Sequence, residues 1–139
     1  MYQKILLATD GSEHANRAAK HALELAKMNA DSKVEVVYVV DHDKVKSDVL
    51  ANWNSADMGD KRKVQIKNIE KMAKDANVNY EIVFLHGDPG PQIVKHANDK
   101  EFDVVVIGSR GLNVLQEFVL GSVSHKVAKR ANCPVMIVK

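Results

Sequence analysis

The sequence predicts an α/β fold, in which an open, doubly wound parallel sheet of five strands carries helices on both faces. Three observations support this prediction. Short runs rich in β-branched residues alternate with segments whose apolar residues recur at helical spacing. Four of the five runs are almost wholly apolar, as strands are when helices cover both faces of a sheet. The resulting order, β-α-β-α-β-α-β-α-β, calls for right-handed crossovers between parallel strands.

The first half of the chain begins with a strand predicted at Ile5 to Ala8. Ser12 is a suitable N-cap for the helix that follows. The predicted inward face of this helix consists of Ala15, Ala18, Ala19, Ala22, Leu25 and Ala26. The second strand, Val34 to Val40, is apolar except at Glu35 and Tyr38.

The segment from Asp41 to Gly59 is long for a connection between a strand and a helix. Four of its apolar residues can share one face of a short helix, namely Val45, Val49, Leu50 and Trp53. One interpretation is a satellite element that packs the only tryptophan onto the body of the protein. The other is a lid beside the mouth of a ligand site.

The second half of the chain continues the alternation. A second helix is predicted from an apolar stripe made of Val64, Ile69, Met72, Ala73 and Ala76. The run from Tyr80 to Leu85 contains Glu81 and therefore predicts a strand nearer an edge of the sheet. A third helix follows, with Pro91 in its first turn and with Ile93, Val94 and Ala97 on one face.

Two strands and one helix complete the predicted elements. The strands are Val104 to Ile107 and Val135 to Val138. Between them a last helix should begin at Gly121 and Ser122 and end at about Arg130, where basic residues complement the helix dipole. Its inward-facing residues are expected to be Val123, Val127 and Ala128.

Length and composition favour a single domain that spans residues 1–139. Hydrophobic residues make up 45% and charged residues 27% of the 139, which is typical of a globular chain that folds alone. The net charge of +2 is too small for the basic face that nucleic-acid binding requires, so we expect no nucleic-acid partner.

Cysteine usage and hydropathy bear on location. The single cysteine, Cys133, excludes an internal disulfide, and we expect it to be a small core residue in a reducing cytoplasm. No signal-peptide pattern is present at the N-terminus, and no apolar run approaches the roughly 20 residues that span a bilayer. We therefore expect a cytoplasmic protein without a membrane span. The six histidines show no spacing that indicates a metal site.

The unusual residues follow the predicted strands, where open α/β sheets bind their ligands. Thr9 and Asp10 follow the first strand, and Gly108 ends the fourth. The loop from Gly108 then leads to the start of the last helix, whose free N–H groups favour an anion. The serines at 122 and 124 add hydroxyl donors, and glycines at 108 and 111 allow amides to approach phosphate oxygens. This pattern predicts a polyphosphate ligand.

The spacing of these glycines resembles that of a known family. Gly108, two residues, Gly111, nine residues, Gly121 and Ser122 match the G-2x-G-9x-G-S/T pattern of universal stress proteins. The opening KILLATDGSEHANRAAKHALELA and the ending NCPVMIVK are also similar to the first and last elements of that family. The resemblance covers the whole chain.

The resemblance implies an adenine nucleotide alpha-hydrolase-like fold with strand order 3-2-1-4-5, and ATP in the cleft with Mg²⁺ or Mn²⁺. Asp10 would lie near the ribose and the metal-bound phosphates, with no direct metal ligand from the chain. Val39 would offer its backbone to adenine, and Thr9 would support the site. The residues implied to wrap the ribose and triphosphate are Gly108, Arg110, Gly111, Gly121, Ser122, Val123 and Ser124. The family resemblance also implies a homodimer through Val135 to Val138, an apolar strand at an edge.

Simpler roles compete for two of these residues. Asp10 can cap the helix that follows the first strand instead of contacting a ligand. Arg110 can be a solvated loop charge, although its place between two glycines favours phosphate contact.

Three functions remain open at this point. The first is an ATP-binding cytoplasmic stress-response regulator or nucleotide-state sensor with slow or no hydrolysis. The second is an ATPase or nucleotide phosphotransferase, for which the sequence offers no obvious catalytic residue besides Asp10. The third is a scaffold dimer in which the nucleotide only stabilises the fold.

Overall fold

The computed structural model describes residues 1–10, 13–40, 57–109 and 121–139. Within these ranges the chain forms five strands and four helices. The strands are β1 (Lys4–Thr9), β2 (Lys33–Val40), β3 (Asn79–His86), β4 (Val104–Gly108) and β5 (Val135–Val138). The helices are α1 (Glu13–Lys27), α2 (Asp57–Asp75), α3 (Pro89–Asp99) and α4 (Ser122–Arg130). Every strand and helix predicted within these ranges is present.

The five strands form one parallel sheet in the order β3-β2-β1-β4-β5. The strand order implied by the family resemblance is therefore confirmed. β1 lies at the centre. The chain crosses to the other half of the sheet between β3 and β4, so the strand order reverses at the neighbouring strands β1 and β4. β3 is an edge strand, as the charged residue within its run predicted.

Helices cover both faces, and successive residues of the strands point to opposite sides. In β1, Ile5 and Leu7 pack into the core with α1 and α2, whereas Leu6 and Ala8 pack into the core with α3 and α4. All four side chains are at most 5% exposed. Burial on both faces explains why the strand runs are apolar throughout rather than alternating.

Two predictions of the helix faces are wrong. Val64 is 54% exposed, because at about 3.6 residues per turn it lies roughly 140° around the α2 axis from Ile69, which is buried. Ala128 is exposed on α4, because Val127 occupies the inward position one helical turn after Val123.

Some predictions lie outside the described residues. These are the N-cap at Ser12, the glycine-loop residues Arg110 and Gly111, and the short helix around Trp53. Among the described helices, none combines the length and the apolar character that crossing a membrane requires.

Candidate functional site

The carboxyl ends of three neighbouring strands form one edge of the sheet. Thr9 at the end of β1 pairs with Tyr38 of β2, and Ala8 pairs with Ile107 of β4. Asp10 and Val39 follow one residue beyond the first of these pairs, and Gly108 follows the second. Because neighbouring strands lie about 4.8 Å apart, the ends of β2 and β4 are roughly 10 Å apart, with the end of β1 and Asp10 between them. Open α/β sheets bind ligands in a crevice beyond such strand ends, and the crevice below means the space beyond the ends of β2, β1 and β4. The sheet thus brings together residues from three separate parts of the sequence.

The exposure of these residues fits a lined crevice. Thr9 is 7% exposed and lies at the bottom of the edge. Asp10, Val39 and Gly108 are each half-buried, so that part of each remains accessible from the crevice. Arg110 and Gly111, which were also predicted at this site, lie outside the described residues.

The end of β4 and the start of α4 are held side by side by backbone hydrogen bonds. The Ser109 N–H donates to the Val138 carbonyl of β5 at 2.8 Å, and the Gly121 N–H donates to the Ser109 carbonyl at 2.8 Å. Gly121 has φ −57° and ψ 151°, a conformation open to residues with a side chain. Its role at this position is therefore not to supply a left-handed turn.

The first turn of α4 presents amides without an acceptor inside the helix at the same edge. The first helical hydrogen bond of α4 runs from the His125 N–H to the Gly121 carbonyl at 2.9 Å. The amides of Ser122, Val123 and Ser124 therefore lack an acceptor within the helix. Gly121 provides no side-chain cap, the first turn carries no acidic residue, and Ser122 is exposed. Amides without helical acceptors and the positive end of the helix dipole together favour an anion.

Ser124 occupies a different position from the one that a phosphate-donating hydroxyl requires. Its side chain is 2% exposed, and its hydroxyl lies 3.2 Å from the Ser109 carbonyl oxygen and 3.0 Å from the Gly121 carbonyl oxygen. The hydroxyl is thus directed at the backbone, and only the amide of Ser124 belongs to the exposed turn. Sequence reasoning also missed Ser109, because its part in the site is played by its backbone.

The described groups with shifted pKa values lie away from this edge. A hydrogen bond of 2.7 Å from Lys33 to Glu81, near the amino ends of β2 and β3, raises the pKa of Lys33 and lowers that of Glu81. Burial raises the pKa of the Cys133 thiol. Among the described residues no three histidine, cysteine, aspartate or glutamate side chains converge into a metal-binding group. Among the described residues of this edge, the groups suited to an anion are therefore the backbone amides at the start of α4.

Comparisons with known proteins give consistent results. A family model described as the universal stress protein family matches residues 1–139. The solved structure of MJ0577, a universal stress protein of Methanocaldococcus jannaschii, superposes with a TM-score of 0.83 at 34% sequence identity. That superposition covers 100% of this chain and 96% of the other.

Two further solved structures contain nucleotides. A universal stress protein from Archaeoglobus fulgidus in complex with dAMP has a TM-score of 0.72 and 25% identity, over 99% of this chain and 98% of its own. Another universal stress protein, in complex with cAMP, also has a TM-score of 0.72 and 25% identity, over 99% of this chain and 96% of its own.

Proposed function

The chain belongs to the universal stress protein family, and from this premise we propose that it binds ATP, with Mg²⁺ or Mn²⁺, in the crevice beside Asp10. We propose further that it acts as a stress-response regulator or nucleotide-state sensor in the cytoplasm, with slow or no hydrolysis. In such a sensor the nucleotide shifts the population between two states because it binds one of them more tightly.

One observation carries the proposal. The first turn of α4 begins beside Ser109, at the end of β4, and its first three amides have no acceptor within the helix. The strand order reverses between β4 and β1, so this turn lies next to the reversal. The helix already holds these amides in place, so ligand binding loses no further conformational entropy in ordering them. The helix dipole adds attraction for negative charge. Phosphate is the anionic group that this arrangement fits best.

The ligands of the two relatives support the adenine part of the proposal. Both dAMP and cAMP carry adenine on a ribose or deoxyribose with a single phosphate. Val39 on β2 and the start of α4 lie on opposite sides of the end of β1, an arrangement that supports a base at one side and a phosphate group at the other. The triphosphate is our extension, drawn from the glycine pattern around residues 108–122.

The donor set of the crevice fits a metal ion that reaches the protein on the nucleotide. Asp10 is the only acidic residue among the described strand ends that line the crevice. One carboxylate is too little to hold Mg²⁺ alone, since this ion is usually bound through one or two carboxylates together with phosphates and water. Asp10 would thus stand beside a cation held mainly by phosphate oxygens, where it neutralises charge.

We also propose a homodimer through β5. This strand lies at an edge of the sheet, and three of its four residues are only half-buried. An apolar edge with unpaired main-chain groups is a template for a strand from a second chain.

A reducing compartment such as the cytoplasm suits a chain whose only cysteine forms no disulfide.

The first experiment is denaturing extraction of the purified protein, followed by chromatography of the released nucleotide and titration of the emptied protein with MgATP. Ser122→Asp is the informative variant, because an aspartate in the first turn of α4 favours the helix but repels phosphate. We expect it to fold normally and to bind ATP at least about tenfold more weakly, while Ser122→Asn binds nearly as the wild type does.

The outcomes separate the possible functions. ATP released by the wild type supports the proposal, and release of ADP points to hydrolysis, which an Asp10→Ala variant then tests. Emptied wild-type protein that ignores ATP with Mg²⁺ and with Mn²⁺ would refute nucleotide binding. If Ser122→Asp and the wild type bind ATP with equal affinity, the phosphate does not bind at the N-terminus of α4.

A further inference from the structure

The hydroxyl of Ser124 takes part in the contact that closes the chain between β4 and α4. The Ser109 carbonyl oxygen has two donors within reach: the Gly121 N–H at 2.8 Å and the Ser124 hydroxyl at 3.2 Å. The Gly121 carbonyl, at 3.0 Å, is a second acceptor for the same hydroxyl. A hydroxyl has one hydrogen, so the Ser124 hydroxyl donates to one of the two carbonyls at a time. When it donates to the Ser109 carbonyl, it links α4 to the end of β4.

This contact is buried and joins three elements. Ser109 is 8% exposed and Ser124 is 2% exposed, so water competes little for their hydrogen bonds. The Ser109 N–H donates in turn to the Val138 carbonyl of β5. The ends of β4 and β5 and the start of α4 therefore meet at Ser109.

We propose that Ser124 is a positioning residue for the nucleotide. Through the Ser109 carbonyl it holds the first turn of α4 against the end of β4, and so it sets where the amides of Ser122 and Val123 meet the ligand. The inference rests on the proposed function for its ligand, but the contact itself is a property of the protein without ligand. Ser122, in the same turn, is exposed, and its hydroxyl is therefore available for a direct contact with phosphate.

The position of these amides is sensitive to small movements. The favourable effect of a helix N-terminus on an anion falls off within the first turn, and ligand groups must be met within about 0.5 Å. Removing the hydroxyl leaves the Ser109 carbonyl with its bond from Gly121, so the change loosens the junction without leaving a buried acceptor unpaired. Looser positioning of the amides should then weaken binding of every nucleotide that carries a phosphate.

The chain offers a matched control at the opposite edge of the sheet. Ser32 is also 2% exposed, and its hydroxyl donates to the Tyr2 carbonyl at 2.9 Å. Ser32→Ala removes a buried hydroxyl and its main-chain hydrogen bond, just as Ser124→Ala does, but far from the crevice. The two variants should lose similar thermal stability, which separates a general effect on the fold from an effect on the ligand.

The experiment compares wild type, Ser124→Ala, Ser124→Thr and Ser32→Ala in the full chain. Nucleotide affinity is measured by calorimetry with MgATP and with AMP, and hydrogen exchange of the Gly121 amide is followed in protein freed of nucleotide. We expect Ser124→Ala to bind both nucleotides about five- to tenfold more weakly, the effect of about one hydrogen bond. The Gly121 amide should exchange at least about fivefold faster in Ser124→Ala.

Two comparisons give the result its meaning. Ser124→Thr keeps the hydroxyl and should restore most of the affinity and the protection of Gly121. Ser32→Ala should bind as the wild type does. If the added methyl of threonine prevents folding, Ser124→Cys takes its place, since a thiol of similar size donates only weakly and should give an intermediate loss.

Several results would overturn the inference. Wild-type affinity in Ser124→Ala would overturn it. So would a loss of affinity in Ser32→Ala as large as that in Ser124→Ala, when the two variants lose the same thermal stability. Weaker binding with unchanged exchange at Gly121 would make Ser124 a direct contact instead. If the wild type binds neither nucleotide, the proposed function fails and with it the nucleotide role of Ser124. Faster exchange in Ser124→Ala would then still support the contact, and unchanged exchange would refute it.

Discussion

At the scale of single residues, two glycines near the start of α3 predict responses of different size to the same substitution. Gly87 has φ +127°, a conformation that residues with a side chain rarely adopt. We expect Gly87→Ala to lower the free energy of unfolding by about 1–3 kcal/mol. Gly90 lies in the first turn of α3 at an ordinary φ. An added Cβ would lie 2.9 Å from Cδ of Lys126, which can move aside, and 3.3 Å from its Cβ, which requires a shift of a few tenths of an ångström. Gly90→Ala should therefore change stability by less than about 1 kcal/mol.

Urea denaturation of both variants at one pH checks this pair. The backbone explanation predicts that the two changes differ by more than their errors, with Gly87→Ala the weaker protein. Similar losses in both variants would show that crowding, against Gln92 at one position and Lys126 at the other, outweighs backbone strain.

Cys133 gives a prediction for pH dependence. Burial raises the pKa of its thiol in the folded protein, so the unfolded chain loses this proton first as the pH rises. The unfolded state then binds fewer protons, and the thiol's contribution to stability, present below about pH 8.5, declines above it. We expect the stability of the wild type to fall more steeply than that of Cys133→Ser between about pH 8 and pH 10. Parallel curves in thermal denaturation would contradict this assignment.

Residue types differ in how far sequence predicts their roles. Cys133 precedes a proline and an apolar run, which predicted a packed thiol, and it does pack against the core on the α3 and α4 side. Ser124 was expected to donate its hydroxyl to phosphate, because it stands in the first turn of a helix after a glycine. The direction of that hydroxyl depends on how β4 and α4 meet across residues 109–124, and no local pattern encodes that meeting.

At the scale of elements, apolar runs predicted strand positions well because both faces of the sheet are buried. The bounds were less accurate: β1 extends from Lys4 to Thr9, one residue beyond the apolar run at each end. Polar residues at strand ends still pair with their neighbours, as Lys4 does with Lys33, so hydrophobicity alone ends the strand too early. Helix faces were predicted where residues recur at the helical period, and the prediction was wrong at Val64, which departs from it.

The start of β1 depends on one carboxylate. Oδ2 of Asp103 accepts hydrogen bonds from the Gln3 N–H at 2.9 Å and the Lys4 N–H at 2.8 Å, while the Asp103 N–H donates to the Lys4 carbonyl at 2.8 Å. Asp103→Ala removes the shared acceptor, and we expect it to lower the free energy of unfolding by about 1–3 kcal/mol. Asp103→Asn keeps an oxygen acceptor without the charge, and its loss should be smaller.

Asp99→Ala serves as the control for this element. Asp99 is exposed at the end of α3, where a negative charge opposes the helix dipole, so its removal should leave stability unchanged or slightly raised. Denaturant titration of the three variants measures the differences. If Asp103→Ala is as stable as Asp99→Ala, the carboxylate does not hold the first strand in solution.

At the scale of the whole molecule, the strand order accounts for both the crevice and the open edge. The chain starts at the centre of the sheet with β1, proceeds to β2 and β3, and then crosses to β4 and β5. This order leaves β1 and β4 at the reversal and β5 at an edge. Hydrophobic patterns place β3 near an edge but cannot distinguish this order from others with the same elements, since the other four strands read as buried on both faces. The order came from the family resemblance, whereas the class of fold came from the patterns.

The open edge yields the last prediction, a test of the proposed homodimer. The carbonyls of Pro134 and Val138 accept hydrogen bonds from β4. Because main-chain groups of alternate residues in a strand point to opposite sides, the N–H and carbonyl of Ile137 face the outer edge. Ile137→Pro removes the outward donor yet keeps the bonds to β4, a position at which sheets tolerate proline.

We expect light scattering at micromolar concentration to show a dimer for the wild type and a monomer for Ile137→Pro. Ile137→Ala loses the same side chain but keeps the N–H, and it should remain a dimer. A monomeric wild type would refute the homodimer. A dimeric Ile137→Pro would show that the dimer contact does not use the outward N–H of β5.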